Sequence, residues 1–522
     1  MKPISVVVAA VVVALVVGVV WVLGPGARWV LEHVDGVAIG GRTGLSGKDL
    51  AAAVDAVRGR VLAVATGLAA LVAVYYTARN ADTARRTFQL GERGHVTDRY
   101  GKAVEQLGSA QAPVRLGGLH ALEQLAQGNP DPDFRQTIVD VICAYLRMPY
   151  IPPPDETGQA EPTEPTDPAE PRVVDGGVPV DRDLHEEHQV RLTAQRILST
   201  HLRYQDPPAG RWRKQRTADP NGRHWAGIRL DLTGAALVDF DLSGCRVGDA
   251  TFGRSAFTGT TRFGGMVFTG SADFRKATFT GRTSFDAATF SSDAEFGGVV
   301  FTGSAVFYKA TFTGTAWFGG ATFSGDAGFG KATFSRTAWF NKATFTGTAW
   351  FSGAVVCDHA NFDKAAFSGP ANFRDANFTD TAYFRDVAFA ADAEFTTATF
   401  TSGVWFDRAT FSSDAGFIGA TFSDVAGFSK AGFSGAVWFG DATFSGDALF
   451  ARTTGLERAV LYDARVAPPP AGVWRVWPPT WRVETDADGW QTLRLAGPEE
   501  DGGEGNAAAD PGPAGEGTGF TL

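Results

Sequence analysis

Bulky apolar residues recur through the second half of the chain at alternating steps of five and six. The ladder opens with Phe252, Phe257, Phe263, Phe268 and Phe274 and closes with Phe439, Phe444 and Phe450. It has 37 positions, of which 36 are Phe and one is Val356. Phe88, Phe134, Phe240 and Phe520 fall outside it. Such strict self-similarity marks a solenoid, whose units bury apolar surface only against their neighbours. The unit is close to Ala-Thr-Phe-Ser/Thr-Gly-x-Ala-x-Phe-x-x. The residue two before each Phe is usually small, as at Ala277, Ala288, Ala310 and Ala321. In a strand the two share one side, so a large and a small residue alternate in a narrow interior. This density of Gly, Thr and Phe excludes a helix. Four consecutive steps, of 5, 6, 5 and 6, span 22 residues. Taken as one coil each, nine such spans at ~4.8 Å make a rod of roughly 43 Å. Two positions after the Phe that opens each six-residue step, Gly is frequent, as at Gly259, Gly270, Gly314, Gly325 and Gly446. That suits a corner with positive φ.

The coil length also predicts the outer surface. Trp317, Trp339, Tyr383 and Trp405 each directly precede a ladder Phe and are spaced by 22, 44 and 22. They are expected to point outward in one column, with Asn361 at the missing rung. Trp350 and Trp438 are expected on the opposite face. An exposed aromatic stripe is a candidate surface for a protein partner. The competing reading is that these rings only strengthen a β surface.

The N-terminal half has a different pattern. Residues 4–23 are uncharged and rich in Val and Ala, long enough to span the ~30 Å hydrocarbon core of a bilayer as a helix. The run is too long for the h-region of a cleaved signal peptide. A second run at residues 61–78 ends in Tyr75 and Tyr76, which suit a membrane interface. Lys2 on one side and Arg79, Arg85, Arg86 and Arg93 on the other favour a two-span hairpin with both termini cytoplasmic. The bilayer is thus an expected partner, through residues 4–23 and 61–78. The polar stretch 79–107 can continue the second helix. Val114, Leu116, Leu119, Leu122 and Leu125 predict another helix, with Pro113 at its start and Gly128-Asn129-Pro130 at its stop. Phe134, Ile138, Val139, Ile142, Cys143, Tyr145 and Leu146 predict the next. A further helix is expected from Leu184 to Leu202.

Asp98-Arg99-Tyr100, Ala103-Val104-Glu105-Gln106-Leu107-Gly108 and Val114-Arg115-Leu116-Gly117-Gly118-Leu119-His120-Ala121-Leu122-Glu123 resemble the juxtamembrane module of actinobacterial membrane-anchored pentapeptide-repeat proteins. Ahead of the Phe ladder, Leu232, Leu237, Leu242 and Val247 recur at steps of five. Asp231-Leu232, Ala236-Leu237 and Asp241-Leu242 resemble the Ala-Asp/Asn-Leu-x-x pattern of that family. The resemblance implies a right-handed quadrilateral β-helix, in which four sides, of 5, 6, 5 and 6 residues here, close one 22-residue coil; it carries over no catalytic residue or ligand. The expected fold is therefore mainly β: a pentapeptide-repeat-like solenoid behind a transmembrane hairpin and a small α-helical cytosolic module. The expected segments are helix 1–23, outer loop 24–60, helix 61–78 and helical module 79–150. They continue as linker 151–183, helix and basic connector 184–225, β-helix 226–466 and tail 467–522.

Composition refines this picture. Net charge is −10, concentrated in residues 151–180 and in the C-terminal tail. Residues 151–180 hold eight prolines and seven acids, a composition that cannot bury enough apolar surface to fold. Trp474, Trp477, Trp481 and Trp490 cluster in the tail, where they either fold over the rod end or form a loose recognition segment. Three Cys exclude a disulfide scaffold; Cys143, Cys245 and Cys357 are expected as small core residues. Gly41 to Lys48 only superficially resembles a phosphate loop, with Asp49 where Ser or Thr would hold magnesium. His185-Glu186-Glu187-His188 offers two imidazoles but sits in what reads as a solvated helix. Arg211-Trp212-Arg213-Lys214-Gln215-Arg216 reads as a solvated connector. No catalytic set stands out, and no cofactor, metal or nucleic acid is expected. The leading expectation is a non-enzymatic scaffold that binds an unidentified protein. The alternative is a DNA mimic that protects a topoisomerase, which would need a strongly acidic rod.

Overall fold

The computed structural model describes residues 13–39, 47–153, 180–204, 223–468 and 472–496, and the side chains of 86–94 and 180–183 are outside the description. The sequence expectations for residues 1–12, the phosphate-loop-like run, most of the linker, the basic connector and the end of the tail lie outside these residues. The chain divides into two units, Met1–Arg99 and Tyr100–Leu522.

The first unit carries two helices long and apolar enough to cross a membrane. One is α1 (Val13–His33); the other is the Gly47–Arg85 part of α2 (Gly47–Leu107). α1 widens to a π turn at Val22–Gly26 around Pro25, which removes a backbone donor. Ala27, Leu31, Val54 and Val57 form the small core between the two helices. Val16, Val20, Leu62, Val64, Leu71 and Val74 remain exposed.

In the second unit, α3 (Ala112–Gly128) and α4 (Pro132–Arg147) start with Pro in their first turn, where a missing N–H costs nothing. Asp131 caps α4 by accepting from Asp133 N at 3.1 Å. α5 (Val180–Leu202) packs on both. Gly118 of α3 lies so close to α2 that a Cβ would come within 2.8 Å of the Ala103 carbonyl. The helices share a buried ion network. Glu187 on α5 accepts from Arg191 Nε at 2.8 Å and pairs with Arg115 at 3.0 Å. It also accepts from the Tyr145 hydroxyl at 2.8 Å. Burial and this bond to Glu187 push the Tyr145 hydroxyl well above its usual range. The solvated-helix expectation therefore fails at Glu187: it is the hub that ties α5 to α3 and α4. His188 Nδ1 lies 2.9 Å from the Tyr150 hydroxyl.

The rod follows, as four parallel sheets of two- and three-residue strands. The first side has 12 strands, the second 10 and the third 9; the fourth has 13, of which the last two are five-residue strands of an antiparallel hairpin. The coil starts at 20 residues, pairing Leu230 with Ala250 and Ala236 with Ala256, as the steps of five require. It lengthens through Arg246–Val267 and settles at 22, as in Thr289–Thr311. Every ladder Phe is buried, and rings one coil apart stack face to face. Phe285–Phe307 centroids are 4.7 Å apart at 4°, and Phe307–Phe329 4.8 Å at 2°. Rings from opposite sides meet edge to face, as Phe296–Phe307 at 5.5 Å and 90°, the arrangement the ring quadrupole favours. Val356 pairs between Phe334 and Phe378 and interrupts the fourth stack.

The corners correct one expectation. Positive φ falls in the five-residue steps, at residues such as Lys276, Lys309, Lys342 and Lys364 (φ 57° to 59°). There Ala310 N donates to Phe307 O at 3.0 Å, closing a turn whose third residue must be left-handed. In the six-residue steps only Gly259 has positive φ among the glycines named above. Most of those glycines serve close approach instead. A Cβ on Gly303 would sit 2.6 Å from the Gly281 carbonyl oxygen, and one on Gly347 2.6 Å from the Gly325 carbonyl carbon.

Both rod ends are covered, which removes open strand edges. At the start, the Gln136 amide of α4 pairs with Arg229 N and O at 2.9 and 3.0 Å. The Gln195 amide of α5 does the same to Val238, at 3.3 and 2.9 Å. Each glutamine replaces one rung of strand. Phe240, outside the ladder in sequence, is fully buried and touches Phe252, Phe257 and Phe263. At the far end, an antiparallel hairpin (Trp481–Thr485 with Gln491–Leu495) joins the fourth side. Trp477 and Trp481 lie on Phe450 at 5.7 and 5.3 Å, and Trp481 Nε1 donates to Leu456 O. Trp474 stays exposed.

Candidate functional site

The first side sets a column in the order Glu295, Trp317, Trp339, Asn361, Tyr383, Trp405 and Gly427. This follows from the coil: an outward residue recurs above itself every 22 positions. The four aromatics named from sequence thus share one face, with Asn361 between them. Their rings behave differently. Trp317 and Trp339 stack at 5.2 Å and 3°. Tyr383 carries the Arg385 guanidinium at 4.7 Å, and that guanidinium pairs with Asp363 at 2.6 Å. Trp405 lies over Gly427, where a Cβ would come within 2.6 Å of its ring. Trp350 and Trp438 occupy the third side, opposite the column, as expected.

The short Asn361 leaves a notch of about 310 Å³ lined by Thr337, Trp339, Asp358, His359, Asn361 and Tyr383. His359 Nδ1 lies 2.7 Å from Asp358 Oδ1 and 3.4 Å from Asp380 Oδ2. Thr337 Oγ1 donates to Asp358 at 3.1 Å. Burial alone would raise the Asp358 carboxyl. Hydrogen bonds from the His359 ring and backbone and from Thr337 outweigh it and hold that carboxyl below its usual range. Asp358, His359 and Asp380 can offer one donor atom each to a cation, all within 4.8 Å of one another. The sequence reading missed this trio. The signal is the 22-residue spacing of Asp358 and Asp380, which sets them one coil apart.

Two cysteines match expectation and one does not. Cys143 and Cys245 are buried, which pushes both thiols up to about 12. Cys357 is exposed, because it follows Val356 and points away from the interior.

The geometry defines a β-solenoid with four flat sides and a Phe-filled interior. A family model described as pentapeptide repeats, in 9 copies, matches residues 263–311, 307–355, 354–399 and 406–454. The matched residues of the rod are thus similar to pentapeptide repeats, with Phe at the centre of each unit except at Val356. Neither a curated protein nor a solved structure matches the chain significantly.

Proposed function

We propose that the protein is a membrane-anchored, non-enzymatic scaffold that presents the first side of its rod to a protein partner in the cytosol. One observation carries this reading: a stiff core holds Trp317, Trp339, Tyr383 and Trp405 in a single outward column at fixed register. Ordered aromatic surface lowers the entropic cost of binding. Anchoring is supported by the two apolar helices. The space of about 650 Å³ between them is lined by Leu15, Val16, Val19, Val64, Leu68 and Val72 among others, a lining suited to acyl chains. The basic residues beyond each span favour residues 24–60 outside and both termini inside. A DNA-mimic role gains no support: Arg254, Lys276, Lys342, Lys364, Arg408, Lys430 and Arg452 recur along one corner of the rod.

The test is partner recovery from native cells by the full-length chain after proximity labelling. Replacing Trp317, Trp339, Tyr383 and Trp405 together by Ala is expected to abolish recovery of specific partners. Equal recovery by both forms would exclude the aromatic column as the binding surface.

A further inference from the structure

The aromatic column is interrupted at one rung, and the interruption has its own chemistry. Trp339 and Tyr383 stand two rungs apart, or ~9.6 Å at ordinary strand spacing. A flat group placed between them would lie ~4.8 Å from each strand's level. That is close to the 5.2 Å at which Trp317 and Trp339 already stack. Asn361 is too short to occupy the space, which is why the notch of about 310 Å³ exists.

The rim selects charge. Asp358 and His359 line one edge of the notch, and the Asp380 carboxylate stands behind them, 3.4 Å from His359 Nδ1. At the other edge Arg385 is matched by Asp363. Lys342 and Lys364 stand on the turns beyond that edge, so a cation is drawn to the Asp358 side. Aromatic faces attract cations, Trp most strongly. A guanidinium is both flat and forked, so it can stack on a ring while its N–H groups reach a carboxylate; an ammonium cannot do both. The chain already makes this pairing once, in Arg385 over Tyr383.

We infer that the notch at Asn361 is a receptor for an arginine side chain presented by the protein partner. This rests on the display reading above and names the chemistry of its central contact. Trp339 supplies the stacking face, Asp358 and Asp380 the counter-charge, and Asn361 the floor.

The probe is a short neutral peptide with one central arginine, titrated by calorimetry into the full-length chain in nanodiscs. Its citrulline counterpart keeps the shape and removes the charge. The arginine peptide is expected to bind saturably and the citrulline peptide about tenfold more weakly. Asn361→Trp fills the rung with a residue that this column accepts at Trp317 and Trp339, and is expected to abolish binding with the far-UV spectrum unchanged. Asp358→Asn with Asp380→Asn is expected to weaken binding about tenfold. Equal binding of the two peptides, or unaltered binding by Asn361→Trp, overturns the inference. So does saturation by zinc ions with no response to the arginine peptide. If the four-alanine form loses its cellular partner while Asn361→Trp keeps it, the display reading survives and the arginine receptor falls.

Discussion

Phe318 shows what one rung contributes. Its ring stacks on Phe296 and Phe340 at 4.7 and 4.8 Å and meets Phe307 and Phe329 edge to face. Phe318→Ala is expected to cost about 3–5 kcal/mol in urea unfolding, since flanking coils cannot close the gap. Val356→Phe should do the reverse. The same register already holds Phe334 and Phe378, and restoring the stack is expected to add about 1 kcal/mol. The corners give a paired test of why each residue type is present. Gly347→Ala drives a methyl into the Gly325 backbone and should cost roughly 1–3 kcal/mol. Lys342→Gly relieves a left-handed side-chain-bearing residue at φ 57° and should raise stability by about 1 kcal/mol. The ladder was readable because one Phe per side leaves no freedom in register. The glycine roles were misassigned because composition reports that a Cβ is unwelcome and not whether φ or a neighbour forbids it.

The helical module and the first coil meet through polar contacts that no periodicity announces. His201 lies flat on Trp225 at 4.1 Å and touches Glu123 through Nε2 at 2.8 Å. Burial alone would raise Glu123, but hydrogen bonds and charge from His201 and His120 hold it below its ordinary 4.5. Asp231 is likewise held low: bonds from Thr233 and the charge of Arg147 outweigh burial. Both folded values lie below the unfolded ones. Each group therefore adds stability above its unfolded value and loses it as pH falls through the folded one. Loosening of this junction is expected below about pH 4. Near-UV circular dichroism of the buried Trp225 should report it before far-UV strand signal is lost; coincident loss of both would refute it. Helices α3, α4 and α5 were legible from apolar spacing and Pro or Gly punctuation. The roles of Gln136, Gln195 and Glu187 were not, because a polar residue looks the same in sequence whether it faces water or a strand edge.

For the whole molecule, the aromatic interior must be sealed at both ends. Trp477 and Trp481 perform this at the far end, resting on Phe444, Phe439 and Phe450. Replacing both by Ala should expose ring faces and strand edges together. The expected outcome is concentration-dependent self-association in light scattering, against the unaltered chain under the same conditions. The cluster of Trp in the tail pointed to this seal, although only two of its four members serve it. The inner and outer surfaces also keep different calendars. Counted from within, the chain returns to an equivalent state every eleven residues; counted from without, only every 22. Gain or loss of a single eleven-residue segment would leave every subsequent Phe lodged among its fellows. It would also carry Trp405 to the wall facing away from Trp317. Lengthening in pairs preserves the pattern; lengthening by one inverts it. The parity of such events is thus invisible to stability and exposed only to whatever touches the outside.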